Sequence, residues 1–346
     1  MKGKDNTGFR IAVSGTGRIA WLLENDPHRY KPCTHLGGLV HVIKKKATDY
    51  EILLRDKNTE NLQGAQDFIR KSILPSGISI FQNIRDIPLP DLHIISTPSE
   101  DHIAMLLESM ELGVPRIVVE KPLGVNPKEM RELSKKLKKY SGKIWIHYER
   151  RYHPKYIQLR NEIASRKWGD LTGYFGVLLS MHSNLYPETP ANGKPPKEKR
   201  QRIFSEGILL RDTTHLLDLA QFFAGEITDF HVRRLRNSHT VELTHQSEPS
   251  VQGSILTQAD SKIFHFEITL YFEKAVITAG NGFIIRRILK KKSFLNFHEP
   301  EYKTDLNLKE KDNPFIAFYK DVLFEGGNST SVQDAIRNVH ILTHPS

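Results

Sequence analysis

Through roughly the first 150 positions of the chain, short apolar runs alternate with longer amphipathic stretches. Phe9, Ile11 and Val13 mark a buried strand that ends in a glycine turn, and residues 19–23 are expected to continue as a helix. Further strands are expected at 50–54, 78–81, 92–96, 116–119 and 143–148, where β-branched and other apolar residues cluster between polar segments. Between them lie helix patterns at 60–71 and 102–112, the second stopped by Gly113. Asn126 caps another helix, with Pro127 at its first position, Glu129 completing the capping pattern, and Met130, Leu133, Leu137 and Tyr140 on the buried face. Strands and helices in strict alternation predict an α/β fold with a parallel, doubly wound sheet.

The pattern changes near residue 149. A helix is expected at 156–167 and strand composition at 171–181. A proline- and lysine-rich loop is expected at 186–202, followed by a strong helix at 207–225. Strands at 230–236, 251–258, 262–272, 275–278 and 280–289 follow one another across short turns, as in an antiparallel meander. Helices at 314–324 and 332–344 close the chain. A chain of 346 residues is long enough for two domains, and the change of pattern divides it into 1–148 and 149–346.

Chemistry gathers at the ends of the expected strands. Gly15, Gly17 and Ala20 follow the G-x-G-x-x-G/A spacing of a dinucleotide-binding turn. The first glycine permits the tight turn, the second lets backbone approach a pyrophosphate, and the small third residue lets helix and strand pack closely. An acidic residue at the end of the second strand binds ribose hydroxyls in such folds. Asp56 fits that place but comes later than the usual spacing, so an insertion separates the first helix from the second strand. Pro27, Pro32, Gly37 and Gly38 predict that this insertion, around 24–46, is loop and short segments. Its Cys33 and His35 are one cysteine and one histidine without further spaced ligands, which is a poor metal set; an ordered surface loop is the expectation and no metal is assigned. A carboxylate at Asp56 favours NAD, while Arg55 and Lys57 beside it could accommodate the extra phosphate of NADP. Thr97, Pro98, Glu120 and Lys121 follow two other strands and are expected to line the same crevice. Arg150 and Arg151 read either as anion contacts or as a salt-bridged surface. In the second half, Arg211, Asp212 and His215 interrupt an otherwise apolar helix, and polar groups set there need partners.

Charge alters this picture little. Fifty Lys and Arg against forty Asp and Glu give a net charge of +10, but the basic clusters at 44–46, 135–139, 194–202 and 286–292 are scattered. No nucleic-acid motif accompanies them, so no nucleic-acid partner is expected. No apolar stretch is long enough to span a bilayer, the start lacks the apolar core of a secretory signal, and the single cysteine suits a cytoplasmic protein. The basic loop at 194–202 suits an acidic partner such as a phosphorylated or nucleotide-linked substrate.

Five segments occur together in a familiar order: GTGRIA at 15–20, TPSEDH at 97–102, EKPLG at 120–124, ERRYHP at 149–154 and DTTHLLDL at 212–219. The chain resembles the Gfo/Idh/MocA oxidoreductases over nearly its whole length. The resemblance implies an N-terminal Rossmann domain and a C-terminal α/β domain for substrate binding and oligomerisation. That second domain would carry a large open, mainly antiparallel sheet, and the assembly would be a homodimer or homotetramer. It implies NAD(P)-dependent hydride transfer on a sugar, cyclitol or related small molecule. By the same resemblance Gly15, Thr16, Gly17, Arg18, Ile19, Asp56, Thr97, Pro98, His102 and Glu120 bind cofactor. Lys121, His215 and Asp212 are catalytic, with Lys121 polarising the reacting oxygen, and Arg151 and Arg211 join them around substrate. The chain departs from the family where an acid is usual four residues before the histidine: Arg211 stands there and Asp212 is displaced by one. That departure favours the alternative of a non-catalytic NAD- or sugar-binding regulator with the same fold.

Overall fold

Burial on both faces makes a strand read as a mostly apolar run, and Ile11–Val13, Ile52–Leu54, Ile94–Ile95 and Ile117–Val119 are such runs at the centre of the first sheet. The structure is a computed structural model and describes residues 8–44, 49–72, 77–182, 207–281, 283–289, 300–305, 313–325, 327 and 330–344. It divides into two units, Met1–His153 with Asp312–Ile336, and Pro154–Lys311 with Arg337–Ser346.

In the first unit six strands pair in the order β3-β2-β1-β4-β5-β6: β1 Phe9–Ser14, β2 Tyr50–Arg55, β3 Gly77–Ile80, β4 Leu92–Ile95, β5 Arg116–Glu120 and β6 Lys143–His147. Every pairing is parallel. All carboxyl ends therefore meet at one edge, with the order reversing between β1 and β4, where α/β sheets bind ligands. Ile11, Ile52, Leu54, Leu92, Ile94 and Val118 fill the core. Helices α1 (His35–Ile43), α2 (Thr59–Ser72), α3 (Ser99–Leu112) and α4 (Pro127–Leu137) connect the strands. Gly113 ends α3 at φ 78°, and the Asn126 side chain caps α4 by accepting from the Lys128 N–H.

Two expectations fail between residues 19 and 46. Residues 19–23 do not run on as an α-helix; after the first turn the chain makes a 3-10 turn at Leu22–Asn25 and leaves. The helix resumes as α1, inside the segment expected to be loop. His35 N–H donates to the Ile19 carbonyl at 3.0 Å and Leu36 N–H to that of Ala20 at 2.8 Å. These are the bonds that residues 23 and 24 would make in an uninterrupted helix. Residues 23–34 are thus an excursion spliced into the first helix, anchored by Glu24, whose carboxylate accepts from Cys33 N–H and the Thr34 hydroxyl, both at 2.7 Å. Gly37 and Gly38 do not break α1, because their missing side chains admit neighbours. A Cβ at Gly37 would lie 2.3 Å from Glu24, and one at Gly38 2.9 Å from Phe315. Phe315 belongs to α7 (Pro314–Lys320), which returns to pack on α1.

The second unit is built on α5 (Pro154–Ala164), α6 (Thr214–Ala224) and an eight-stranded sheet. Its strands are β7 Leu171–Leu179, β8 Ile227–Arg234, β9 Ser238–His245, β10 Gln252–Gln258, β11 His265–Phe272, β12 Ala275–Gly280, β13 Phe283–Leu289 and β14 Pro300–Asp305. The meander is real within β8-β9-β10 and β11 to β14, but β7 sits between the two runs, parallel to β10 and antiparallel to β11. Two strands, β9 and β14, lie where none was expected. β9 buries His239, Val241, Leu243 and His245 on one face, and the histidines at both ends of that row shorten its apolar signal. Among the described residues β14 pairs only with β13, at the sheet edge. The stretch expected to be helical at 207–225 is so, with a π-helical turn at Leu209–Thr213 leading into α6. The expected loop at 186–202 lies outside the described residues. The last helix, α8, spans Val332–Thr343.

Candidate functional site

The carboxyl edge of the first sheet carries the glycine turn. Gly15 has φ +87°, and a Cβ there would lie 2.5 Å from the Ser96 carbonyl oxygen. Gly17 is different: the nearest atom to a Cβ would be Asn61 Nδ2 at 3.8 Å. One glycine is required by the protein's own backbone, and the other opens onto free space of the kind a pyrophosphate fills. Leu54 and Arg55 bring Asp56 to the same edge. Its Oδ2 accepts from Thr16 N–H at 2.7 Å and the Thr16 hydroxyl at 3.0 Å, and its Oδ1 from Asn58 N–H at 2.8 Å. The late arrival of Asp56 in the sequence is accounted for by the excursion. Arg18 and Pro98 are exposed, Ile19 and Thr97 half-buried. These residues fit NAD, with the open backbone at Gly17 for phosphates and the Asp56 carboxylate for ribose.

The second group surrounds Lys121, half-buried just past β5. Glu120 before it is 6% exposed and held by two imidazoles. Its Oε1 accepts from His147 Nδ1 at 2.6 Å and from His35 Nε2 at 2.8 Å; its Oε2 accepts from Lys121 N–H at 3.1 Å. His35 Nδ1 in turn meets the Tyr319 hydroxyl at 2.6 Å. The carboxyl of Glu120 is held well below the usual range by the two histidines, which outweigh burial's opposite pull, and burial keeps His35 below its ordinary value. His102, expected to touch cofactor, is buried, with Nδ1 2.8 Å from the Pro122 carbonyl and Nε2 2.9 Å from that of Thr97. It braces the two walls of the crevice. Arg151 is buried in the short 3-10 turn after β6, and belongs to this unit.

His35, expected on a surface loop, is therefore wholly buried, and His147 and Tyr319 were not singled out in the sequence. His147 carried a signal, a polar residue closing an apolar strand; Tyr319 carried none. His35, Glu120 and His147 present three ligand atoms within 4.8 Å of one another. Their spacing is that of hydrogen bonds. An ion about 2.0–2.1 Å from each ligand at tetrahedral angles would hold them roughly 3.3 Å apart.

In the second unit Arg211 and Asp212 lie in the π-turn and His215 in the first turn of α6. The Arg211 guanidinium donates twice to Asp212 Oδ2, from Nη2 at 2.6 Å and Nε at 3.0 Å. His215 is 7% exposed. Thr213 pins the turn to β10 through a 2.8 Å hydroxyl contact with Thr257. Burial and the neighbouring Arg211 keep His182 below its ordinary value.

Comparison with known proteins gives a family match confined to the first unit. Residues 9–148 match the Gfo/Idh/MocA oxidoreductase family, described as having an NAD-binding Rossmann fold. The scyllo-inositol 2-dehydrogenase (NAD(+)) of Bacillus subtilis is 31% identical over 150 residues, covering 42% of this chain and 40% of that protein. The rhizopine catabolism protein MocA of Rhizobium meliloti is 35% identical over 78 residues, 22% of this chain and 24% of that one. The chain thus spans less than half the length of the curated relatives it matches. A solved levoglucosan dehydrogenase in complex with NADH shares the fold over 97% of this chain and 95% of its own, with a TM-score of 0.71 and 13% identity.

Proposed function

With its N-terminal unit in the Gfo/Idh/MocA family of NAD-binding oxidoreductases, we propose that the chain is an NAD-dependent dehydrogenase acting on a secondary alcohol or ketone carbon of a sugar, cyclitol or nucleotide sugar. The observation that carries this reading is the meeting of the Gly15–Gly17 turn, Asp56 and the Glu120–Lys121 step at the carboxyl edge of one parallel sheet. Bound in that crevice, NAD supplies the hydride acceptor. The chain's own residues must orient the alcohol and take its proton. Lys121, half-buried beside a fixed carboxylate, is suited to hydrogen-bond the reacting oxygen. His215 is the candidate for proton exchange, since imidazole changes charge near neutral pH. Arg151 is assigned to cofactor or substrate, and Arg211 and Asp212 to substrate. We assign the chain to the cytoplasm as a homodimer or homotetramer, which light scattering checks. Lys121→Ala and His215→Ala should each abolish turnover while NADH binding stays within about threefold of wild type. Loss of NADH binding in both would remove these roles.

A second reading is a regulator that binds NAD or a sugar without turning it over. The Arg211–Asp212 pairing favours it, because a carboxylate already engaged by a guanidinium is a poor base. Tight NADH binding without reduction of NAD by any polyol would select it.

A further inference from the structure

Three histidines from three elements converge on the chain around Lys121: His35 at the start of α1, His102 in α3 and His147 at the end of β6. A carboxylate only accepts hydrogen bonds, so both imidazoles facing Glu120 must present N–H to it. His35 is then the Nε2–H tautomer, its Nδ1 accepting from the Tyr319 hydroxyl. His147 carries a proton on Nδ1, and its Nε2 is buried without a hydrogen-bond partner among the described residues. The ring of His147 lies 4.8 Å from that of Phe315 and 4.6 Å from that of Phe318, which closes the cluster from the α7 side. On the other side of Lys121, the Pro122 carbonyl is fixed on His102.

A buried, charged and hydrogen-bonded cluster is costly compared with apolar packing of the same volume. This one fixes the residues on both sides of Lys121. It also reaches the glycine turn, because the His35 N–H closes on Ile19. We infer that Glu120, clamped by His35 and His147, is the positioning residue for Lys121, and that it ties the lysine to the helix rising from the dinucleotide turn. The inference rests on the reading of Lys121 as the residue that meets substrate. The resemblance groups Glu120 with the cofactor residues, but its carboxylate is buried against two imidazoles and the Lys121 N–H, so in this account it acts through the Lys121 backbone and not on substrate or cofactor.

Nitrogen-15 NMR of the histidine rings in the full wild-type chain tests the clamp without any substrate. Nε2–H at His35 and Nδ1–H at His147 are expected. A His147 ring without a proton on Nδ1 would overturn it. In Glu120→Gln, Lys121 amide exchange should rise and kcat should fall, each about tenfold or more, with KM and NADH affinity within about threefold. A variant with a lower melting temperature but unchanged kcat and amide exchange would make the cluster merely structural and end the inference. His147→Asn, whose amide can still donate to Oε1, should retain more activity than His147→Phe; equal losses count against it. Should the wild-type chain oxidise no polyol, the dehydrogenase reading fails by itself, while ring tautomers and amide exchange still decide this inference.

Discussion

The backbone N–H of His35 bonds to the carbonyl of Ile19 at 3.0 Å, across a sequence gap that no ordinary helix spans. The bond makes residues 23–34 a detour from one helix rather than a link between two elements. A chain in which Leu22 is joined directly to His35 should fold, because the deletion restores ordinary helical spacing. It loses the Glu24 contacts and the bond from Asn313 Nδ2 to the Pro32 carbonyl. Destabilisation of about 1–3 kcal/mol is therefore expected, on the scale of a few net hydrogen bonds, with NADH affinity little changed. Circular dichroism melts and NADH fluorescence check both; an unfolded deletion variant would mean that the detour is part of the fold.

The two glycines of the turn should separate stability from binding. Gly15→Ala places a methyl group 2.5 Å from the Ser96 oxygen at positive φ, a conformation that alone costs about 1–3 kcal/mol. Gly17→Ala meets nothing closer than 3.8 Å. Its stability should stay within about 0.5 kcal/mol of wild type, while NADH affinity falls about tenfold or more as the methyl group fills the phosphate space. Denaturant melts and NADH titrations on both variants give the comparison.

Asp56 should set cofactor choice. A carboxylate at this edge repels the extra phosphate of NADP. Wild type should bind NADH at least about tenfold more tightly than NADPH, a difference near 1.4 kcal/mol. Asp56→Ser should narrow that gap. Equal titration curves for the two cofactors with wild type would contradict the assignment.

The first domain should weaken in mild acid. His93 is fully buried between the hydroxyls of Ser14 and Ser109, and burial pulls it down to about 3. Above an ordinary value near 6.5 the ring is neutral in both folded and unfolded chains. Below it the unfolded chain takes a proton that the folded chain refuses. Stability therefore falls with decreasing pH between about 6.5 and 3, by about 1.4 kcal/mol per pH unit from this group. His93→Gln should flatten the urea-melt profile by about that slope.

Sequence alone was enough for the parallel sheet, because strands buried on both faces are mostly apolar, and polar residues such as His93 are few enough not to hide them. It was enough for the glycine turn, because the G-x-G-x-x-A spacing marks it and Gly15 takes a positive φ that side chains rarely adopt. The helix after that turn was not legible: its i, i+4 contacts are made between residues sixteen apart, Ile19 and His35, so periodicity within any short window is lost. The same gap concealed the link between His35 and Glu120, which joins distant parts of the chain through one ring. The π-turn at Leu209–Thr213 changes the residues per turn just before His215, so ordinary helix spacing does not give the relative directions of Arg211, Asp212 and His215.

The most direct measurement is the appearance of NADH when the full chain is given NAD and, one at a time, sugars, cyclitols and nucleotide sugars. The account predicts steady NADH formation with at least one of them, lost in Lys121→Ala. NAD binding without any NADH formation across that set would contradict it.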